Sequence, residues 1–298
     1  MTDSHTSPTG RFAPSPTGRM HLGNICTAVL SWLSVKRRGG RWILRIEDLD
    51  AGRSRPEYAH LIEDDLRWLG LTWDEGGCSG EGPSGPYMQS LRSDIYARWF
   101  ERLHDSGLTY PCYCTRADLL AASAPHQSDG RVVYSGRCRP ASFPATPPEA
   151  GRRYAVRLLV PDRQISFVDR VAGPQSFNLA RDCGDFVVRR SDGSWAYQLA
   201  VVVDDALMGV TEVLRGDDLL LSAAQQIYLY ELLGLSAPEF AHVPLIRNEA
   251  GQRLSKRDSA MSMEALRASL SPEQLLGRVA FLTGLRPDCS PVSLTELL

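Results

Sequence analysis

The sequence predicts an α/β fold in which parallel strands are joined by crossover helices. Three observations carry that expectation. Strand, helix, strand and helix patterns alternate through the first 70 residues, as a parallel sheet requires. From Tyr110 to about Arg190 the chain becomes richer in Pro, Arg and Cys, and its strands shorten. Buried-strand composition then returns at Ala196 to Val203 and near Val210 to Leu214, so the first and last segments are expected to share one sheet, with the middle inserted between them.

In order along the chain, residues 1–10 form a polar tail. Arg11-Phe12-Ala13 runs as a short strand end into Pro14-Ser15-Pro16-Thr17-Gly18, a turn stiffened by its prolines. Ile25, Val29, Leu30 and Leu33 then recur at helical spacing, and Gly39-Gly40 ends that helix. Trp42 to Ile46 reads as a buried strand leading into an acidic turn, Glu47-Asp48-Leu49-Asp50. Helices are expected from Pro56 to Leu69 and from Leu91 to Ser106. Within the insertion, Tyr154 to Val160 and Phe186 to Arg190 have strand character. A helix over 221–233 precedes a strand at His242 to Ile246, and the tail from about Met261 is helical, with Pro272 in a first turn.

Composition excludes several classes. The 298 residues carry 33 Lys+Arg against 35 Asp+Glu, with 43% hydrophobic residues, enough for one large domain or two modest ones. No run approaches the roughly 20 apolar residues that span a bilayer. The opening Met1-Thr2-Asp3-Ser4-His5 lacks the apolar stretch of a secretory signal, so a cytoplasmic setting without a membrane is expected. A net charge of −2 means that any nucleic-acid contact must come from local basic patches. The excess of Arg over Lys suits planar phosphate contacts, and equally fits a GC-rich coding sequence. Of the seven cysteines, Cys26, Cys78, Cys183 and Cys289 stand alone, while Cys112, Cys114 and Cys138 cluster; reduced thiols and one metal site are expected, not a disulfide scaffold.

Five constellations carry chemistry. His21-Leu22-Gly23-Asn24 opens a helix after the proline turn, where free backbone N–H groups and a positive dipole end suit a phosphate; Gly23 allows close approach and His21 can donate. Alone, such a tetrapeptide would be an ordinary turn before a helix. Leu254-Ser255-Lys256-Arg257 can deliver an ammonium to a polyphosphate, or can be a solvated basic loop. Arg45 to Asp50 puts carboxylates at a strand's carboxyl end, where Glu47 could hold a substrate ammonium or merely cap a turn. Cys112, Cys114 and Cys138 suit Zn²⁺, with Tyr134 or His126 as the fourth ligand; the alternative is two buried thiols and an exposed one. Arg215 at a strand end could grip a carboxylate that Tyr197 also bonds, or it could pair with Asp217 or Asp218 while Tyr197 packs in the core.

Together these strings resemble class I aminoacyl-tRNA synthetases of the glutamyl branch. His21-Leu22-Gly23-Asn24 resembles that family's HIGH signature, and Arg253-Leu254-Ser255-Lys256-Arg257 its KMSKS signature. Arg45 to Asp50, Leu71 to Gly76 and Gly85 to Ser90 match further strings of the branch in the same order. About 40 residues follow Arg257, too few for the anticodon-binding region of full glutamyl enzymes. The resemblance therefore narrows to the short paralogues, the glutamyl-queuosine tRNA(Asp) synthetases.

That resemblance implies a Rossmann-like sheet over residues 11–105 and 195–250, a zinc-containing α+β subdomain at 106–194 that binds the acceptor, and a loop with a short helical region at 251–298. It implies a monomer that activates L-glutamate with ATP and Mg²⁺ and esterifies the queuosine base of tRNA(Asp). Arg11, Ala13 and Ser15 would line the glutamate site, Glu47 would hold the ammonium, and Tyr197 and Arg215 would contact carboxylates. His21 and Gly23 would face ATP, and Lys256 would counter the charge on the α-phosphate. Cys112, Cys114, Tyr134 and Cys138 would bind a structural Zn²⁺. Asn24 in place of a second His puts one phosphate contact in question.

Overall fold

The computed structural model describes residues 7–115, 117–118, 133–143, 145, 149–246 and 261–298. Along these residues the order is β1 (Thr9–Phe12), α1 (Leu22–Lys36), β2 (Arg41–Leu44), α2 (Pro56–Trp68), β3 (Glu75–Gly76), α3 (Ser93–Asp105), β4 (Thr109–Cys112), β5 (Ala155–Leu158), β6 (Gln164–Asp169), β7 (Gly173–Asn178), α4 (Leu179–Asp182), β8 (Phe186–Arg189), α5 (Tyr197–Leu207), β9 (Glu212–Gly216), α6 (Leu220–Leu233), β10 (Glu239–Val243), α7 (Met263–Ser269), α8 (Pro272–Leu282) and α9 (Leu294–Leu297). The chain separates into two compact units.

The first unit takes in Met1–Leu91, Leu207–Asp218 and Pro238–Leu298. Its sheet runs β10-β9-β1-β2-β3, and every pairing is parallel. Early and late segments thus share one sheet, as the sequence leads one to expect. β1 is buried along its whole length, and α1 lies directly on it and on β9. Gly10 makes that approach possible: a Cβ there would sit 2.4 Å from Cγ2 of Val35. Phe12 stacks on Trp42 with ring centroids 6.0 Å apart, and the buried Trp42 indole donates to Ser31 Oγ at 3.1 Å, so a core tryptophan keeps its one polar atom bonded.

The second unit takes in Arg92–Ala206 and Leu219–Ala237. β4, β5 and β8 form an antiparallel sheet, and β6 and β7 form a hairpin whose turn is held by Asp169, which accepts from the N–H groups of Val171 and Ala172. Sequence reading did not anticipate this hairpin.

Three expectations need correction. The polar tail expected over residues 1–10 stops short of Thr9, because Thr9 and Gly10 are buried in β1. Ala196 to Val203 is not a strand: the chain forms α5 there. Leu199 to Val203 are all 0% exposed, so the segment is apolar on every side and its pattern lacks the polar face that would mark a helix. β10 begins at Glu239, three residues before the expected His242, which places Phe240 and His242 inside the strand.

The second unit buries a charge network. Arg92 Nε donates to Asp204 Oδ1 at 2.6 Å, and Tyr96 Oη donates to Asp204 Oδ2 at 2.9 Å, with Arg92 1% and Asp204 0% exposed. Removing one partner strands the other charge in a dry site. Asp204→Ala is expected to cost about 3–5 kcal/mol in denaturant unfolding, against under 1 kcal/mol for cutting the exposed Arg152–Glu149 pair.

Candidate active site and metal centre

Strand order reverses at β1: β2 and β3 lie to one side, β9 and β10 to the other. Ligands in open parallel sheets bind beyond the carboxyl ends of strands at such a switch point. There the first unit gathers most of the residues singled out from sequence. Arg11 lies in β1, 5% exposed, and Ala13 and the exposed Ser15 follow it. Glu47 follows β2, Arg215 lies near the end of β9, and His21 and Gly23 open α1. Backbone bonds from Arg45 N–H to Phe12 O at 3.0 Å and from Glu47 N–H to Pro14 O at 3.0 Å carry the β1–β2 pairing into these turns.

His21 is the residue that caps α1, with extended backbone at φ −123° and ψ 169°. Asn24 Oδ1 accepts the His21 N–H at 3.1 Å. Asn24 therefore shapes the helix start, a role the sequence comparison with a second His did not suggest. A Cβ on Gly23 would lie 3.2 Å from Cε1 of His21, so glycine leaves the imidazole its place above the first turn. Met263 N–H donates to Met20 O at 2.9 Å, and His21 bridges Ser262. The segment that follows the Arg253 to Arg257 string thus pairs beside His21. Lys256, with that string, lies outside the described residues, as does His126.

Two buried side chains given no role from sequence, Arg45 and His242, reach these residues. Arg45, 0% exposed, donates from Nη2 to Glu47 Oε1 at 3.1 Å. An Arg-x-Glu spacing across a strand end places both on one face, which is the signal that could have found it. Arg215, 4% exposed, donates from Nε to Nε2 of His242 at 3.0 Å.

In the second unit, Tyr197 opens α5, and Gln198 beside it donates to Gln225 at 2.7 Å. The candidate metal-ligating residues all belong to this unit. The sulfurs of Cys112, Cys114 and Cys138 lie within 4.8 Å of one another, with Cys114 and Cys138 3.6 Å apart. Cys112 Sγ is 3.6 Å from Tyr134 Oη, and that oxygen accepts the Cys138 N–H at 2.8 Å. Zinc–sulfur bonds of about 2.3 Å in a tetrahedron place sulfurs roughly 3.8 Å apart, so the donor set fits Zn²⁺. β4 delivers Cys112, and the turn at Gly136 carries the chain from Tyr134 to Cys138.

Electrostatics favour the metal-bound form at one thiol. Burial works against ionising Cys112, but hydrogen bonds from the Cys114 backbone, Arg157 and Tyr134 hold its thiol below the ordinary range. Burial pushes Cys114 up to about 12, reinforced by its bond to Cys138 and by charge on Cys112. Burial likewise raises the Tyr134 phenol above its ordinary range. Arg157, missed from sequence, donates from Nε to Cys112 Sγ at 3.2 Å, and its guanidinium carbon lies 3.7 Å over the Tyr134 ring. It supplies positive charge where three thiolates would leave an excess of negative charge around one Zn²⁺. A second triplet, His60, Glu63 and Cys78, is also close, but Glu63 already accepts from Cys78 N–H and pairs with Arg67 at 3.0 Å.

The chain matches the family described as tRNA synthetases class I (E and Q), catalytic domain, over residues 9–290. It is 51% identical over 299 residues to the "Glutamyl-Q tRNA(Asp) synthetase" of Symbiobacterium thermophilum, covering 97% of this chain and 90% of that protein. It is 43% identical to the "Glutamate--tRNA ligase" of a Sulfurihydrogenibium species, covering 86% of this chain but 54% of that protein. Among solved structures, a glutamate tRNA ligase from Elizabethkingia meningosepticum in complex with its amino acid superposes with a TM-score of 0.83 at 33% identity, over 98% of this chain and 64% of that one. The chain therefore spans less than two thirds of either ligase.

One consequence is open to direct measurement. Arg157→Met is expected to lower zinc affinity about 10- to 100-fold, read by competition with a chromogenic chelator. Because the thiols must lose protons to bind, zinc retention should weaken as pH falls, and more steeply in the variant.

Proposed function

This chain belongs to the class I tRNA synthetases of the glutamyl and glutaminyl type, a family of ligases, and we propose that it activates L-glutamate with ATP and transfers the glutamyl group to the queuosine base in the anticodon of tRNA(Asp). The observation that carries this reading is near-full-length similarity to a protein named for that reaction, 51% identical over 97% of this chain. The clustering of Arg11, His21, Glu47 and Arg215 residues at one carboxyl edge supports the activation step.

In this reading the α-carboxylate of glutamate attacks the α-phosphorus of ATP in line, and pyrophosphate leaves. Catalysis consists of positioning and of balancing charge as it develops. Arg11, Ala13 and Ser15 line the amino-acid site, and Glu47, steadied by Arg45, holds the ammonium. Arg215 receives carboxylate oxygens; a glutamine side chain would leave the guanidinium charge uncompensated, which gives selectivity. The N-terminus of α1, with His21 and Gly23, receives ATP phosphate oxygens. Lys256 and the Mg²⁺ that accompanies ATP counter the charge on the α-phosphate. Cys112, Cys114, Cys138 and Tyr134 hold Zn²⁺, which staples the cysteine-bearing segments of residues 106–194, the part assigned to the acceptor tRNA. The protein acts as a cytoplasmic monomer. Among the described residues no helix is long and apolar enough to cross a membrane.

A second reading, charging of the 3′ end of tRNA(Glu), is favoured by the 43% identity to a glutamate–tRNA ligase over 86% of this chain. The two separate cleanly. Incubated with labelled glutamate, ATP and total tRNA, the protein is expected to label queuosine-bearing tRNA(Asp) and to leave tRNA lacking queuosine unlabelled. Label in tRNA(Glu), lost with the kinetics of a 3′-terminal ester, would overturn the proposal in favour of the second reading. Lys256→Ala is expected to slow glutamate-dependent pyrophosphate exchange by about 10²–10³, the size of losing one group aimed at developing charge.

A further inference from the structure

β9 and β10 pair in parallel register with Val213 opposite Phe240 and Arg215 opposite His242. Alternation along each strand puts all four on one face. Arg215 Nε donates to His242 Nε2 at 3.0 Å, and the guanidinium carbon lies 5.3 Å from the centre of the Phe240 ring. The Phe240 and His242 rings stack at 6.0 Å with 19° between their planes. Arg215, Phe240 and His242 are 4%, 3% and 1% exposed, so this stack is locked by packing.

We infer that His242 is a positioning residue for Arg215, aiming the guanidinium at the substrate carboxylate without offering it a competing negative charge. The inference rests on the reading of Arg215 as the residue that selects glutamate. Three features argue for it. A long, flexible side chain must be held to present a planar fork, and Nε is the one donor on the stem side, so a bond there fixes both position and roll of the plane. With Nε committed, bidentate recognition falls to the Nη1 and Nη2 edge at the far end. The partner's chemistry is the third. An aspartate or glutamate at 242 would steady Arg215 equally well, but it would add a negative charge beside the cation meant for a carboxylate. A neutral imidazole orients without that cost. Accepting at Nε2 requires the neutral ring with its proton on Nδ1.

The test uses glutamate-dependent pyrophosphate exchange on the full chain, with KM for glutamate and for ATP measured separately. His242→Leu is expected to raise the glutamate KM about 10- to 100-fold, the range of one hydrogen bond to a charged group, and to leave the ATP KM unmoved. His242→Gln, whose Oε1 reaches the place of Nε2, should stay within about threefold of the parent. His242→Asn, whose amide stops near Nδ1, should behave like His242→Leu. A residue that only filled space would show no such contrast between Gln and Asn. Arg215→Met combined with His242→Leu should be no worse than Arg215→Met alone, because the histidine acts through the arginine. An unchanged glutamate KM in His242→Leu beside a raised one in Arg215→Met overturns the inference and spares the reading of Arg215. An unchanged glutamate KM in Arg215→Met overturns both. Equal glutamate KM values in the Gln and Asn variants overturn the inference even where the leucine variant fails to fold.

Discussion

β1 is hydrogen-bonded in parallel on both edges, to β2 along Thr9–Phe12 and to β9 at Gly10, and the geometry of the first unit follows from that double pairing. Parallel strands deliver all their carboxyl ends to one edge of a sheet, so residues far apart in sequence, such as Ser15, Glu47 and Arg215, arrive on one side without any long excursion of the chain. The helix between β1 and β2 must then lie against the strands it connects. Gly10 lets Val35 seat against β1, and that seating fixes where the opposite end of α1 begins, at His21. A backbone constraint in the centre of the sheet thereby sets the position of the helix start at His21.

Around this frame the protein buries several arginines, and the chemistry of each partner separates their roles. Arg92 meets the carboxylate of Asp204, and the pair ties α3's approach to α5 inside the second unit. Arg157 meets a thiol that its own proximity helps to ionise, which places it beside the candidate metal-ligating cysteines. Arg45 meets the carboxylate of Glu47 just beyond the end of β2. Arg215 meets the ring of His242, a partner that directs it and adds no negative charge. Burial alone would not distinguish these four, since each is no more than 6% exposed.

Much of this was legible in the residues because it is local. Proline turns, helix periodicity and the Cys-x-Cys pair announce themselves over a few positions, and each appears where expected: α1, α2, β2 and the cysteine cluster. What was not legible depends on burial or on register. The run from Leu199 to Val203 is buried all round, so its helical turn leaves no polar face to read. The β6–β7 hairpin closes on Asp169 without an Asn-Gly or Asp-Gly pair, the strongest short turn signal. The sequence predicts His242 only as the first residue of a strand; the register of β10 against β9 brings it opposite Arg215. Arg157 carries no mark in sequence, because its partner lies 45 positions away.

Asn24 shows how a departure from a family string can be read through the backbone. As a missing histidine it looks like a lost contact to phosphate. In the structure its side-chain oxygen accepts the N–H of His21, and His21 in turn accepts at its carbonyl from the N–H groups of Asn24, 2.9 Å away, and Ile25, 3.2 Å away. The reciprocal bonds hold His21 in the extended conformation a helix cap requires, and they do so from inside the helix. A histidine at that position would have a ring to offer a phosphate but no amide oxygen with which to close the cap. At this position the chain therefore carries a side chain that firms the start of α1, and the N–H groups of the first turn keep their place at that helix end.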